Sequence, residues 1–330
     1  MPAILLRSVR VCLQEKCRST ALIIGRLRHM YEDFGTILNR GFYSWFRNLN
    51  ICIPFVLNFL INMIIYVLFF GLMGILFFTS NTGSIIDPAT LSNKEILSIL
   101  WNGFSENLGL FLFVIIAFFL FALFVQSFFT AGAIGMAKKA SETGDTGIFD
   151  MLGSSSKNTV RLFLTILLTT LLLLVGIIFI VPGAFAVGDL TTFIQNPEAS
   201  VNGMIALSIG FILWIAYIIF LNLVLALSSY ALVIDELGPL EALGEGFRFF
   251  TNNKLDVFII WIITIGLAMI NGYVNQFVDS GNILFTAIMS LAPIVVLQPL
   301  TTVLWTRLYM TRKGRKLYDP SDLLSVPDSF

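Results

Sequence analysis

Residues 108–137 read LGLFLFVIIAFFLFALFVQSFFTAGAIGMA, a run without a single charged side chain. A helix rising 1.5 Å per residue needs ~20 apolar residues to cross ~30 Å of hydrocarbon, so this run predicts a membrane span. Working outward from it, residues 51–80, 159–187, 204–234, 255–277 and 283–309 are apolar runs that meet the same length. Composition agrees, with 57% apolar and only 12% charged residues, against ~25% charged in soluble domains. The reading is an all-α polytopic membrane protein with six transmembrane helices.

Charge orients the spans. Nineteen of the twenty Lys and Arg residues fall in the segments on one side, and the loops of the other side hold only Lys94. Short Lys/Arg-rich segments stay cytoplasmic, so a cell-membrane protein with both termini in the cytoplasm is expected. The zero net charge hides this asymmetry: the basic side holds nineteen basic and fourteen acidic residues, the other side one and six. Anionic lipid of the cytoplasmic leaflet attracts the first set. Cys12, Cys17 and Cys52 all fall on the reducing side and have no metal-ligand spacing, so free thiols are expected. The Ala21–Gly25 run is too short for a signal peptide, and the first span is expected to direct insertion.

Three subdivisions follow. Residues 1–33 form a basic arm, 34–316 the six-span domain and 317–330 an extended cytoplasmic tail containing Pro320 and Pro327. From Phe34 to Trp45 apolar residues recur every three or four positions, the pattern of an amphipathic helix at the membrane interface. That helix is repeated. Leu38, Gly41, Phe42, Trp45 and Asn48 match Leu243, Gly246, Phe247, Phe250 and Asn253 in an L-x-x-G-F-x-x-(aromatic)-x-x-N pattern, each before a span. A degenerate copy runs from Ile148 through Met151 and Leu152 to Asn158. The architecture expected is three hairpins in one orientation, each preceded by a short cytoplasmic interfacial helix. On the other side, Ser92 and Glu95 read as a capping box opening a short helix to Trp101.

Chemistry-bearing patterns are sparse. Asp235, Asp256 and Arg307 sit at span ends, where they are expected to reach the interface, and His29 is the only histidine. No HExxH, GxSxG, phosphate-cradling loop or paired catalytic carboxylate is present, so neither an enzyme nor a cofactor or metal site is expected. The spans hold amides instead: Asn58 and Asn62, Gln126, Asn222, Asn271 and Asn275, and Gln298. Such groups either bond helix to helix, the commoner role, or line a polar seam. Pro182–Gly183 interrupts the third span and Pro293 with Pro299 the sixth, with bundle shaping favoured over a transporter's broken-helix site. The small residues Thr130–Gly135 are expected to allow close helix contact.

Residues 131–150 (AGAIGMAKKASETGDTGIFD), 179–185 (FIVPGAF) and 229–253 (SYALVIDELGPLEALGEGFRFFTNN) resemble the membrane domain associated with glycerophosphoryl diester phosphodiesterases and related six-span proteins of archaea and bacteria. Asp235, Gly238, Glu241, Ala242, Leu243 and Asn253 carry the last element. The resemblance implies a six-span bundle with interfacial helices and no activity, because the catalytic domain of some relatives has no counterpart here. A non-enzymatic protein is thus expected, organising membrane lipids or a protein partner at the cytoplasmic face, with no nucleic-acid partner. The alternative is a carrier or channel for a lipid or small polar solute through the amide seam.

Overall fold

The computed structural model describes residues 32–80, 107–188, 201–277 and 290–318. The described chain is all α, with six helices long and apolar enough to cross a membrane. This is a multi-pass membrane protein. Two predicted features, the arm before Tyr31 and the short helix at 92–101, lie outside the described residues, as does the tail from 319 on.

A first short helix, α1 (Phe34–Arg47), ends at Asn48, whose ψ of 62° leaves the helical range. A 3-10 turn (Leu49–Cys52) leads into α2 (Ile53–Ser80), the first span, and α3 (Leu108–Thr143) is the second. The third span is α4 (Ile148–Val175), a 3-10 turn at Gly176–Phe179 and α5 (Val181–Val187). Pro182 sits in the first turn of α5, where a missing N–H costs nothing, and the break falls just before it. The fourth span joins α6 (Val201–Leu225) to α7 (Ser228–Asp235). A second short helix, α8 (Pro239–Asn252), precedes α9 (Lys254–Phe277), the fifth span. The sixth enters through a π turn at Pro293–Leu297 and continues as α10 (Gln298–Arg312).

Separate leading helices occur before the first and fifth spans, as the repeat predicts. The middle copy differs. From Ile148 to Val175 the chain is one continuous helix, and Asn158 is in its interior. Asn48 and Asn253 by contrast close their helices in non-helical conformations. All three Asn side chains nevertheless donate to the carbonyl four residues earlier: Asn48 to Ser44 at 3.0 Å, Asn158 to Ser154 and Asn253 to Phe249, both at 3.1 Å. The i−4 bond is therefore compatible with stopping or continuing, and the backbone after it decides.

Burial is concentrated at one end of the bundle. There α3, α7 and α10, the last parts of the even-numbered spans, converge, and α1 and α8 pack against them. Ile134, Leu232, Val233, Leu308 and Tyr309 form the core of this hub, with Phe249 stacked on Tyr309 at 5.1 Å between ring centres. Half of the sixth span is buried, against 6% for the first and fourth. It is also the least apolar span, with a mean hydropathy of 1.3 against 3.1 for the second. A helix sheathed by protein does not need an apolar surface on every side.

Candidate functional site

The hub is built from three equivalent junctions, and each follows from local chain chemistry. Each even span ends on a residue with left-handed backbone: Gly144 (φ 86°), Glu236 (φ 58°) and Gly314 (φ 65°). Glycine adopts this conformation without Cβ strain, which ends a helix cleanly. The next helix then starts from an extended glycine, Gly147 or Gly238, whose N–H donates to the third helical carboxylate, Asp150 at 2.9 Å or Glu241 at 3.1 Å. Each carboxylate thereby satisfies a backbone donor at the start of its helix.

Each leading segment crosses the end of an even span at a point of close approach. A Cβ at Gly41 would lie 2.6 Å from Leu304 Cδ2, one at Gly246 2.2 Å from Ser228 Oγ, and one at Gly132 2.6 Å from both Met151 and Ser155. A Cβ at Gly246 would also face the Ser228 backbone, 3.0 Å from its N, whereas at Gly41 the close atom is the end of the Leu304 side chain. Ser154 and Ser155 add hydrogen bonds to the α3 carbonyls of Ala131 (2.9 Å) and Phe128 (2.8 Å). The close contact expected of Thr130–Gly135 is made here. Because α1 lies on α10, the first leading helix packs against the last span, and the three units close into a ring. On their outer sides Phe42 and Phe247, equivalent in the repeat, are 53% and 54% exposed, while Trp45 is buried and Phe250 half-buried.

Ion pairs run across the hub. Arg307 is enclosed by protein. It is 1% exposed and binds Glu32 with two nitrogens, at 2.8 and 2.6 Å. Glu32 also pairs with Arg40 at 2.9 Å, and Arg312 joins the Glu32 carbonyl (3.2 Å) to Asp256 (2.7 Å). Burial alone raises the Glu32 carboxyl, but the bonds and charge of Arg307, then of Arg40, outweigh it and hold the group below its ordinary value. Asp235 accepts from Tyr309 Oη at 2.6 Å and from Arg315, and Lys313 binds Glu245. Lys138 Nζ donates to the Ile234 carbonyl at 3.1 Å. Side chains from α3, α7, α8 and α10 are thereby tied together.

The predicted amide seam is dispersed. Asn62 bonds Asn58 within one helix, to its carbonyl and to Oδ1, both at 2.8 Å. Asn222 donates to Ile218 O on its own helix at 2.9 Å. Gln126, Asn222 and Gln298 are exposed on three different helices, and Asn271 is half-buried on a fourth. The side chain of Asn275 lies outside the described ones. Among the described residues, no three His, Cys, Asp or Glu are grouped to hold a metal ion.

The proline breaks lie beside close contacts between spans. Pro299 has no N–H to offer the Val295 carbonyl four residues earlier, and the Cys52 thiol donates to that carbonyl at 3.0 Å. Near the other break a Cβ at Gly183 would stand 2.5 Å from Leu207 Cα, and one at Gly210 2.4 Å from the Phe179 carbonyl oxygen. Spans three and four therefore touch backbone to backbone. Sequence reasoning missed these glycines, although Gly176–Gly183 and Gly203–Gly210 share a seven-residue spacing that marks one helix face. It also missed the role of Glu32, one of three acids in a basic arm with nothing local to single it out.

The chain belongs to the family described as Domain of unknown function (DUF7847), whose model matches residues 67–311. That range takes in the last half of the first span, the other five spans nearly complete and the junctions at Gly144 and Glu236, but begins after α1. Neither a curated protein nor a solved structure matches the chain.

Proposed function

We propose that this protein is a non-enzymatic membrane scaffold, organising lipids or a protein partner at the face where the even-numbered spans converge. The observation that carries the reading is the uneven distribution of order. Core, ion pairs and inter-unit hydrogen bonds gather at the hub, whereas most of each outer span is exposed along its length. The charge asymmetry supports a hub in the cytoplasm of a cell membrane, with both termini on that side. Phe42, Phe46 and Phe247 then lie where α1 and α8 would meet lipid headgroups, the interfacial role expected of the repeat.

A carrier through the amide seam is the second reading, and the intrahelical bonding of Asn58, Asn62 and Asn222 weighs against it. Gentle purification followed by native mass spectrometry, with solute flux measured in proteoliposomes, separates the two. The scaffold retains a defined lipid or a stoichiometric protein, and changing Phe42, Phe46 and Phe247 to Ser releases it. Flux of a defined solute that is lost in the Asn62→Leu, Asn271→Leu double variant would establish the carrier instead.

A further inference from the structure

The three units are alike enough to be compared junction by junction, and an Asn staple is made in the first alone among the described residues. In the first, Asn48 at the end of the leading helix is stapled to the loop after that unit's second span. Its Nδ2 donates to Gly144 O at 2.9 Å, and its Oδ1 accepts from Thr146 N–H at 3.1 Å. The preceding residue, Arg47, pairs with Asp145 of the same loop at 3.2 Å. The second unit reproduces the ion pair: Lys157, just before Asn158, binds Glu236 of the corresponding loop at 2.6 Å. It does not reproduce the staple. Asn158 is 3% exposed, and its Oδ1 has no hydrogen-bond partner. A buried amide oxygen left in this way costs about 1–3 kcal/mol, so its retention needs a reason.

A solvent-open pocket of about 360 Å³ lies between α3, α4 and α7, and Asn158 is among the residues that line it. Three Lys and three Asp or Glu residues line it, and the acids are engaged as follows. Glu236 is matched by Lys157, Glu142 lies 3.9 Å from Arg315, and Asp150 caps the start of α4. Lys138 uses one of its three donors on Ile234 O, and Lys139 forms no ion pair among the described residues. Lys139 thus lines the cavity without an ion pair, and Lys138, whose charge acts with that of Lys157 on Glu236, has donors to spare. The site is at the ends of spans two, three and four, on the side that the charge asymmetry assigns to the cytoplasm.

We infer that this cavity binds a phosphoester that carries an ammonium or hydroxyl group, with Lys138 and Lys139 facing the phosphate and Asn158 Oδ1 accepting from the donor. A phospholipid headgroup and a soluble phosphoester share this chemistry. The inference goes beyond the scaffold reading, because such a site would serve a scaffold and a carrier alike.

The test uses the full chain, exchanged into detergent free of native lipid and titrated by native mass spectrometry. The probes are phosphatidylethanolamine, phosphatidylcholine and soluble O-phosphoethanolamine. Choline's quaternary nitrogen has no N–H to donate, so the ethanolamine lipid should bind about tenfold more tightly, the worth of one charged hydrogen bond. Asn158→Leu should abolish that preference. The exposed Lys139→Gln change, which leaves the fold untouched, should weaken both lipids. Binding of the soluble phosphoester as well assigns the site to free phosphoesters, and binding of the lipid alone assigns it to headgroups. Equal affinity for the two lipids, or affinities unchanged in both variants, would overturn the inference.

Discussion

Arg307 and Glu32 show what a single pair of residues contributes. Two charges that are 1% and 8% exposed are tolerable only together, and removing one leaves the other stranded. Glu32→Gln should therefore destabilise the purified protein by roughly 3 kcal/mol, read from its denaturation midpoint, and Arg307→Met in the same chain should restore part of the loss. Acid should act like the mutation. The Glu32 carboxyl is lowered by Arg307, so its contribution is complete above the unfolded value of about 4.3 and is lost as pH falls through the lower folded value. Proteolysis at Arg40 should accordingly be unchanged between pH 8 and 5 and accelerate only below about pH 4. Cleavage that rises already at pH 6 would contradict this. Arg307 was legible as a charge at a span end, but its partner is 275 residues away, and no local pattern encodes that distance.

At the scale of elements, length and hydropathy suffice to place all six spans, because the hydrocarbon thickness fixes both quantities. Close approach is less legible. Gly71, Gly74, Gly266 and Gly272 have open space where a Cβ would stand, whereas Gly183, Gly203 and Gly210 face a neighbouring backbone. A glycine within an apolar run reads the same in either setting. Only the paired seven-residue spacing separates them. Gly210→Val should consequently force α6 away from the 3-10 turn of the third span and cost about 1–3 kcal/mol, while Gly266→Val should be near neutral. Thermal unfolding of the two variants measures the contrast, and equal losses would refute backbone contact as the cause. The fused α4 illustrates the same limit: the repeat located Asn158, but whether the helix stops there depends on backbone geometry beyond the motif.

For the whole molecule, three units in one orientation were legible because α1 and α8 carry the same eleven-residue pattern. Their closure into a ring was not, since the first leading helix and the last span meet only in three dimensions. Closure explains why order collects at one end: each leading helix covers the end of an even span, and α1 covers the one that would otherwise be left open. It also gives the proposed scaffold a continuous face. Cross-linking tests it most directly. In a chain with Cys12, Cys17 and Cys52 changed to Ser, cysteines replace Gly41 and Leu304, and in a control they replace Gly246 and Ser228. A short thiol cross-linker applied in native membranes should join both pairs within single chains. Joining of the control pair alone would show that α1 does not rest on the sixth span, and the ring would be open.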